Sequence, residues 1–311
     1  MWVRLCEPAR TPTRKNASSF AGADGVTTID QLLEETEGLV SLPEVAVQVT
    51  RLVEDPNSSA EDIATAISRE PALAARILRL ANSPLYGMRS EVDTVARAVT
   101  VLGTLQVRDL VLASSAVHGF DGIPNELVSM EDFWRHSLYT GLAARRLARQ
   151  VLSGREESSF TAGLLHDIGK LLLYHQQPQV AVQAFLAVLN GDAPRINLAE
   201  RTLLGFDHGE LGGALLERWE LPPHLVAAAR FHHRPLEAPE PLRREALLVH
   251  LANHIAQLAQ LDSTRPGDAP PVEAEAWNLM GVSPLQVPEL VQSLQEEVLE
   301  VEEALFREPA N

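Results

Sequence analysis

Lysine and cysteine are nearly missing from this sequence. Lys15 and Lys170 are its two lysines, and Cys6 is its single cysteine. A lone cysteine excludes an internal disulfide and agrees with a reducing compartment. Aromatic residues make up only 5% of the chain. No apolar stretch approaches the roughly 18 residues that a membrane-spanning helix needs, and the first twenty residues lack the apolar core of a secretory leader. No alternating strand pattern competes with helical periodicity. Basic residues are outnumbered 26 to 42 by acidic ones, for a formal charge of -16. Such a surface repels phosphate backbones at long range, which argues against a nucleic-acid polymer as partner. Together these absences predict a cytoplasmic protein with no membrane or nucleic-acid role.

What is present is helix. With 311 residues and 45% apolar content, the chain can bury a large core. Residues 1–27 lack periodicity and read as a disordered arm. Residues 28–120 read as a series of short helices, with breaks at Ser41-Leu42-Pro43, Asp55-Pro56-Asn57, Asn82-Ser83-Pro84 and Gly103-Thr104. Ser59 followed by Asp62 predicts a capping box in which Asp replaces the usual Glu or Gln. The turn signal Asp121-Gly122-Ile123-Pro124-Asn125 marks a boundary. Residues 121–262 read as a second helical part, including a long helix from Met130 and one continuous helix from Ser159 to Tyr174. Residues 263–311 supply a Pro-rich linker and packing helices, the last amphipathic from Pro288 to Phe306. Arg145, Arg146 and Arg149 read as a solvated helix face. The fold class is all-α, a multi-helix bundle with an N-terminal helical subdomain.

The second part alone carries a pattern that suggests chemistry. In Gly163-Leu164-Leu165-His166-Asp167-Ile168-Gly169-Lys170 a histidine and an aspartate sit between apolar runs, where a core accepts them only if hydrogen-bonded or metal-bound. His136 precedes this pair; His208, His232, His233 and Asn253 follow it. Imidazoles with a carboxylate suit iron, manganese, zinc or nickel, and no nearby cysteine argues for a thiolate site. On one helix, adjacent residues point about 100° apart; His166 and Asp167 can both lean toward a shared space, and a carboxylate can bridge two ions. Glycines at 163, 209, 212 and 213 permit close backbone approach. His118, His175, His224, His250 and His254 read as core or surface groups. A structural role for the whole set competes with a metal role at this point.

His136, His166-Asp167 and Leu251-Ala252-Asn253 resemble the motif of the HD superfamily of metal-dependent phosphohydrolases. His208 and His232-His233 resemble the additional ligands of its HD-GYP phosphodiesterase branch. The nearer resemblance is to the HDOD domain, carried by Pro71-Ala72-Leu73-Ala74-Ala75-Arg76-Ile77-Leu78, Ala98-Val99-Thr100-Val101-Leu102-Gly103, Trp134-Arg135-His136-Ser137, His208-Gly209-Glu210-Leu211-Gly212-Gly213 and Trp219-Glu220-Leu221-Pro222. It covers roughly residues 28 to 260 and implies an HD-type bundle with an added N-terminal helical part.

The resemblance implies a bacterial signalling or regulatory protein, binding divalent metal without established catalysis. It implies two ions, iron foremost and manganese, zinc or nickel as alternatives, held by His136, His166, Asp167, His208, His232, His233 and Asn253. A phosphohydrolase acting on a nucleotide or cyclic dinucleotide is the second reading, with Asp167 and Lys170 as its catalytic candidates; Lys170 would touch a phosphate, or else pair with an acidic neighbour. A metal-free helical adaptor is the third. The implied partners are signalling proteins or a nucleotide second messenger, and a homodimer is an assembly open to the chain. Two departures separate it from the enzymes: Asn253 stands where they carry an aspartate, and Arg234-Pro235-Leu236 follows His232-His233 in place of Gly-Tyr-Pro.

Overall fold

The computed structural model describes residues 27–36, 42–83, 85–88, 90–120, 129–263, 269 and 271–306. The proposed arm apart from Thr27, the turn at 121–125 and most of the Pro-rich linker lie outside them. The described residues hold sixteen α-helices and no strand. The first six are α1 (Ile29–Glu35), α2 (Glu44–Glu54), α3 (Ala60–Ser68), α4 (Pro71–Asn82), α5 (Val95–Leu102) and α6 (Thr104–Gly119). Next come α7 (Met130–Val151), α8 (Glu156–Leu165), α9 (Ile168–Gln176), α10 (Pro178–Leu189), α11 (Ile196–Leu204) and α12 (His208–Arg218). The chain ends with α13 (Pro223–Phe231), α14 (Arg243–Gln260), α15 (Ala276–Met280) and α16 (Val287–Phe306).

Local signals set these boundaries. Ser59 caps α3 by accepting from the Asp62 amide at 3.2 Å, while Asp62 accepts from the Ser59 amide at 2.8 Å, so the shorter acid completes the box. Pro71 occupies the first turn of α4, where a missing N–H costs nothing. Gly103, at φ +97°, ends α5 and lets α6 begin one residue later. The expected helix from Val92 begins only at Val95, where the Thr94 hydroxyl caps it, and Asn82 holds the preceding segment through the Val92 amide and carbonyl.

Helices α2 to α6 pack on one another, and α6 lies against α8. The heart of the second group is α7, α8, α12, α13 and α14; α16 lies across α7, α14 and α4. Helix α1 rests on α9 and α12, with Gln176 donating to the Leu32 carbonyl at 2.8 Å. One hydrophobic core runs through both groups, from Leu32 and Ile67 to Leu142, Leu215 and Val301. The α10–α11 hairpin keeps a small separate core of Ala184, Val188 and Ala199.

Two expectations are corrected. Arg145 and Arg146 do not form a solvated face: Arg145 is buried, bonded to Glu157 at 2.7 Å and stacked over Tyr86, and Arg146 pairs with Glu297 on α16 at 2.6 Å. Burial beside carboxylates from other elements outweighs the helical spacing that suggested a solvent stripe. The continuous helix from Ser159 to Tyr174 is also broken, at its most polar point.

Candidate metal centre

Helix α8 stops at Leu165 and α9 starts at Ile168, so His166 and Asp167 form the joint between them. Asp167 leaves helical geometry at φ -99°, ψ 6°. Glycines hold both arms in place. A Cβ on Gly163 would lie 2.7 Å from the Thr140 carbonyl oxygen, and one on Gly169 would strike the His208 carbonyl and lie 2.5 Å from the Gly212 nitrogen. Helix α8 is thereby pressed to α7, and α9 to α12, at distances only glycine allows.

The joint points one carboxylate at imidazoles from four elements. Asp167 Oδ2 lies 3.4 Å from His166 Nε2 and 3.7 Å from His136 Nε2, which comes from α7. Its Oδ1 lies 3.2 Å from His208 Nε2, at the start of α12, and 3.4 Å from His232 Nε2, just past α13. His233 closes the second side with Nε2 at 2.8 Å from that of His208. The donors fall into two groups, each within 4.8 Å: His136, His166 and Asp167, and Asp167, His208, His232 and His233. Asp167 belongs to both. Of the residues predicted for the site, these six and Lys170 converge. Asn253, on α14, lines a cavity beside Lys170 and His233, its Oδ1 buried without a hydrogen-bond partner.

Hydrogen bonds behind the rings decide which nitrogen faces the centre. His166 Nδ1 donates to the Gly163 carbonyl and His232 Nδ1 to the Ala229 carbonyl, both at 2.7 Å. Each leaves Nε2 as a lone pair, buried and without a hydrogen-bond partner, as is Asp167 Oδ1. Lone pairs aimed at a carboxylate repel one another unless a cation lies between them, so the donor set fits a divalent ion.

Titration follows the same arrangement. Burial pushes the imidazoles of His136, His166 and His233 down, His166 and His233 well below their usual range. Burial alone would raise the Asp167 carboxyl, but His166 and Lys170 beside it hold it well below the usual carboxylate range. Lys170 Nζ reaches Asp167 Oδ2 at 2.5 Å, which is the salt-bridge alternative of its sequence reading. Burial would lower His208, yet the carboxylates of Glu200 and Asp167 lift it to about 9.

Glu200 is the residue that sequence reasoning missed. Fully buried on α11, it accepts from His208 Nδ1 at 2.6 Å and from the His208 amide at 3.0 Å. A carboxylate behind a ligand imidazole orients the ring and raises its basicity. Residue order alone did not mark it: Asn197 and Glu200 stand one helical turn apart as polar residues, and only the fold shows both to be buried. Two further supports are Gln260, 2.8 Å from His136 Nδ1, and His250, which donates from Nδ1 to the His232 carbonyl at 2.7 Å. The box Asp207–Glu210 caps α12 and fixes His208 in its first turn.

Comparison with known proteins agrees with this architecture. Residues 39–235 match the HDOD domain. A presumptive phosphohydrolase of Shewanella amazonensis SB2B shares 30% identity and superposes with a TM-score of 0.70, over 88% of this chain and 97% of that one. An HDOD domain protein of unknown function from Geobacter sulfurreducens has the same fold, with a TM-score of 0.71 at 23% identity, covering 89% and 98% of the two chains. An uncharacterized protein of Treponema pallidum (strain Nichols) is 27% identical over 248 residues, 78% of this chain but only 45% of its own length. No helix among the described residues is long and apolar enough to cross a membrane. The matched span takes in the capped helices of the first group and every imidazole around Asp167, and on that evidence the chain belongs to the HDOD domain family.

Proposed function

We propose that this chain is a metal-binding regulatory module of bacterial signalling, acting through ligand or partner binding rather than turnover. In this reading residues 28–120 form the N-terminal helical part, 121–262 the metal-binding part and 263–311 the linker and C-terminal packing helices. Two divalent ions, iron foremost and manganese, zinc or nickel as alternatives, would be held by His136, His166, Asp167, His208, His232 and His233. The two-sided exposure of Asp167 oxygens to separate imidazole groups supports a pair over a single ion. Ions bound there supply Lewis acidity and a bound water of lowered pKa.

The observation that carries the regulatory reading is Asn253. A neutral amide stands where the resemblance calls for an aspartate, and its Oδ1 is buried without a donor. Nor is a Gly-Tyr-Pro segment present: Arg234 instead reaches Glu237 at 2.9 Å, Glu210 at 3.4 Å and Asp207 at 3.6 Å, tying the turn after His233 to the cap of α12. Signalling proteins or a nucleotide second messenger are the proposed partners.

The second reading, hydrolysis of a nucleotide phosphoester, is favoured by Lys170. Its ammonium sits on the carboxylate of Asp167 and on the wall of the adjoining cavity, where a phosphoryl group entering from solvent would meet it. Assay of cyclic dinucleotides and simple phosphodiesters with manganese- or iron-loaded protein separates the two. Absence of turnover in fully loaded protein is the expected result; turnover that disappears in Lys170→Ala overturns the regulatory reading.

A further inference from the structure

Helix α10 carries its apolar side chains the wrong way round for a helix that packs only on its own chain. Its buried side is made of the smaller residues Ala181, Ala184 and Val188, and it meets chiefly α11 and α9. Phe185 ties it to α9, its ring 5.5 Å from that of Tyr174. The outer side carries Val182, Leu186 and Leu189, spaced i, i+4 and i+7, and these are 39%, 48% and 68% exposed. A helix settled on its core turns the bulkier apolar groups inward. Single exposed leucines need no explanation, but a stripe along one helix face does. Three of the nine large apolar side chains exposed among the described residues lie on this stripe.

The face is also free of charge. Charged residues make up 22% of the chain, yet none occurs in the twelve residues of α10. Its exposed polar side chains, Gln179 and Gln183, are amides, which both donate and accept. At a formal charge of -16, two copies of this chain repel one another over most of their surface. A neutral stripe is where that repulsion is least, and it offers a charged partner nothing to pair with. An apolar stripe flanked by amides is complementary to itself, as a twofold contact requires when each copy presents the same patch.

We propose that α10 is the seam of a homodimer, packed antiparallel against α10 of a second copy about a twofold axis beside Leu186. That register sets Val182 of one copy against Leu189 of the other. It also brings Asp192, the first charged residue after the helix, beside Gln179 of the other copy, whose amide can donate to it. A helix of twelve residues is about 18 Å long and covers less than the roughly 800 Å² per partner of a standard stable interface. The dimer is therefore a weak one that forms and dissociates with concentration. It does not depend on the metal reading, since α10 contributes none of the imidazoles around Asp167.

Sedimentation velocity of the full chain, from low to high micromolar concentration, tests the seam. The parent is expected to pass reversibly from monomer to dimer, with more dimer at high salt, which screens the acidic repulsion and leaves apolar contact intact. Leu186→Glu is expected to weaken the dimer about tenfold or more, because the axis brings the two new carboxylates together, with helix content and metal content unchanged. Leu186→Met is expected to keep it. In a Cys6→Ser background, Leu186→Cys is expected to form an interchain disulfide on mild oxidation. Leu105→Cys, at a position 54% exposed near the start of α6, is expected to form none. A chain monomeric at every concentration overturns the proposal and leaves the stripe to a different protein. A dimer indifferent to Leu186→Glu, or cross-linked equally from both positions, overturns it by placing the contact elsewhere.

Discussion

The two helical groups bury different things. Helices α2 to α6 close over Ile63, Ile67, Leu73, Ile77 and Leu80, and their few buried polar groups are satisfied locally: Arg108 bonds Asp109 at 2.7 Å, and Arg76 reaches Ser114 at 2.9 Å. The group from α7 to α14 buries His136, His166, Asp167, Lys170, Glu200, His208 and His232, and several of their atoms have no protein partner. Burying such groups without compensation costs several kcal/mol. Stability explains the first group by itself; the second leaves donors that a bound ion would complete.

The contrast can be broken most severely at Asp167, shared by both donor groups. Asp167→Asn is expected to remove bound metal altogether, read by elemental analysis, while the circular dichroism of the helices persists. Next come two substitutions of similar thermodynamic weight and opposite consequence. Leu80→Ala, in the first group, is expected to cost about 2–5 kcal/mol in chemical denaturation with metal content unchanged. Gly169→Ala would drive a methyl into the His208 backbone, costing about 1–3 kcal/mol or more and losing metal with it. A smaller effect is expected at Glu200: Glu200→Gln leaves the ring hydrogen-bonded but uncharged behind, and metal affinity falls about 10–100-fold, measured by competition with a chelating dye.

The smallest effect lies outside the cluster. Burial and the nearby Arg155 and Arg108 charges hold His224 at about 4, while the unfolded ring titrates near about 6.5. Between these values the unfolded chain binds the extra proton, so stability falls as pH drops through this window and is recovered above it. The slope contribution is at most about 1.4 kcal/mol per pH unit, and less for a ring that is partly exposed. His224→Gln is expected to flatten it in denaturation curves taken from pH 6.5 to 4.

Much of this was legible in residue order. Pro, Gly and capping signals placed α4, α10 and α13 at their observed limits, because those signals act within one helical turn. The ligand candidates were legible through residue type, since few cores tolerate His166-Asp167 without a reason. What was not legible was the break between them: Ser159 to Tyr174 reads as one continuous helix, and only the contacts of Gly163 with α7 and Gly169 with α12 show why the chain turns there. Glu200 was hidden for a similar reason. Its partner His208 lies across a turn, and local periodicity does not register a hydrogen bond made by tertiary packing.

The central claim is that Asp167 and its imidazoles hold metal. Protein purified without a histidine tag, and without added metal, is to be measured by mass spectrometry for ions per chain. The account predicts about two ions in the parent protein and none in Asp167→Asn. A folded parent protein with no metal, and with stability unchanged by a strong chelator or by added iron or manganese, would contradict it.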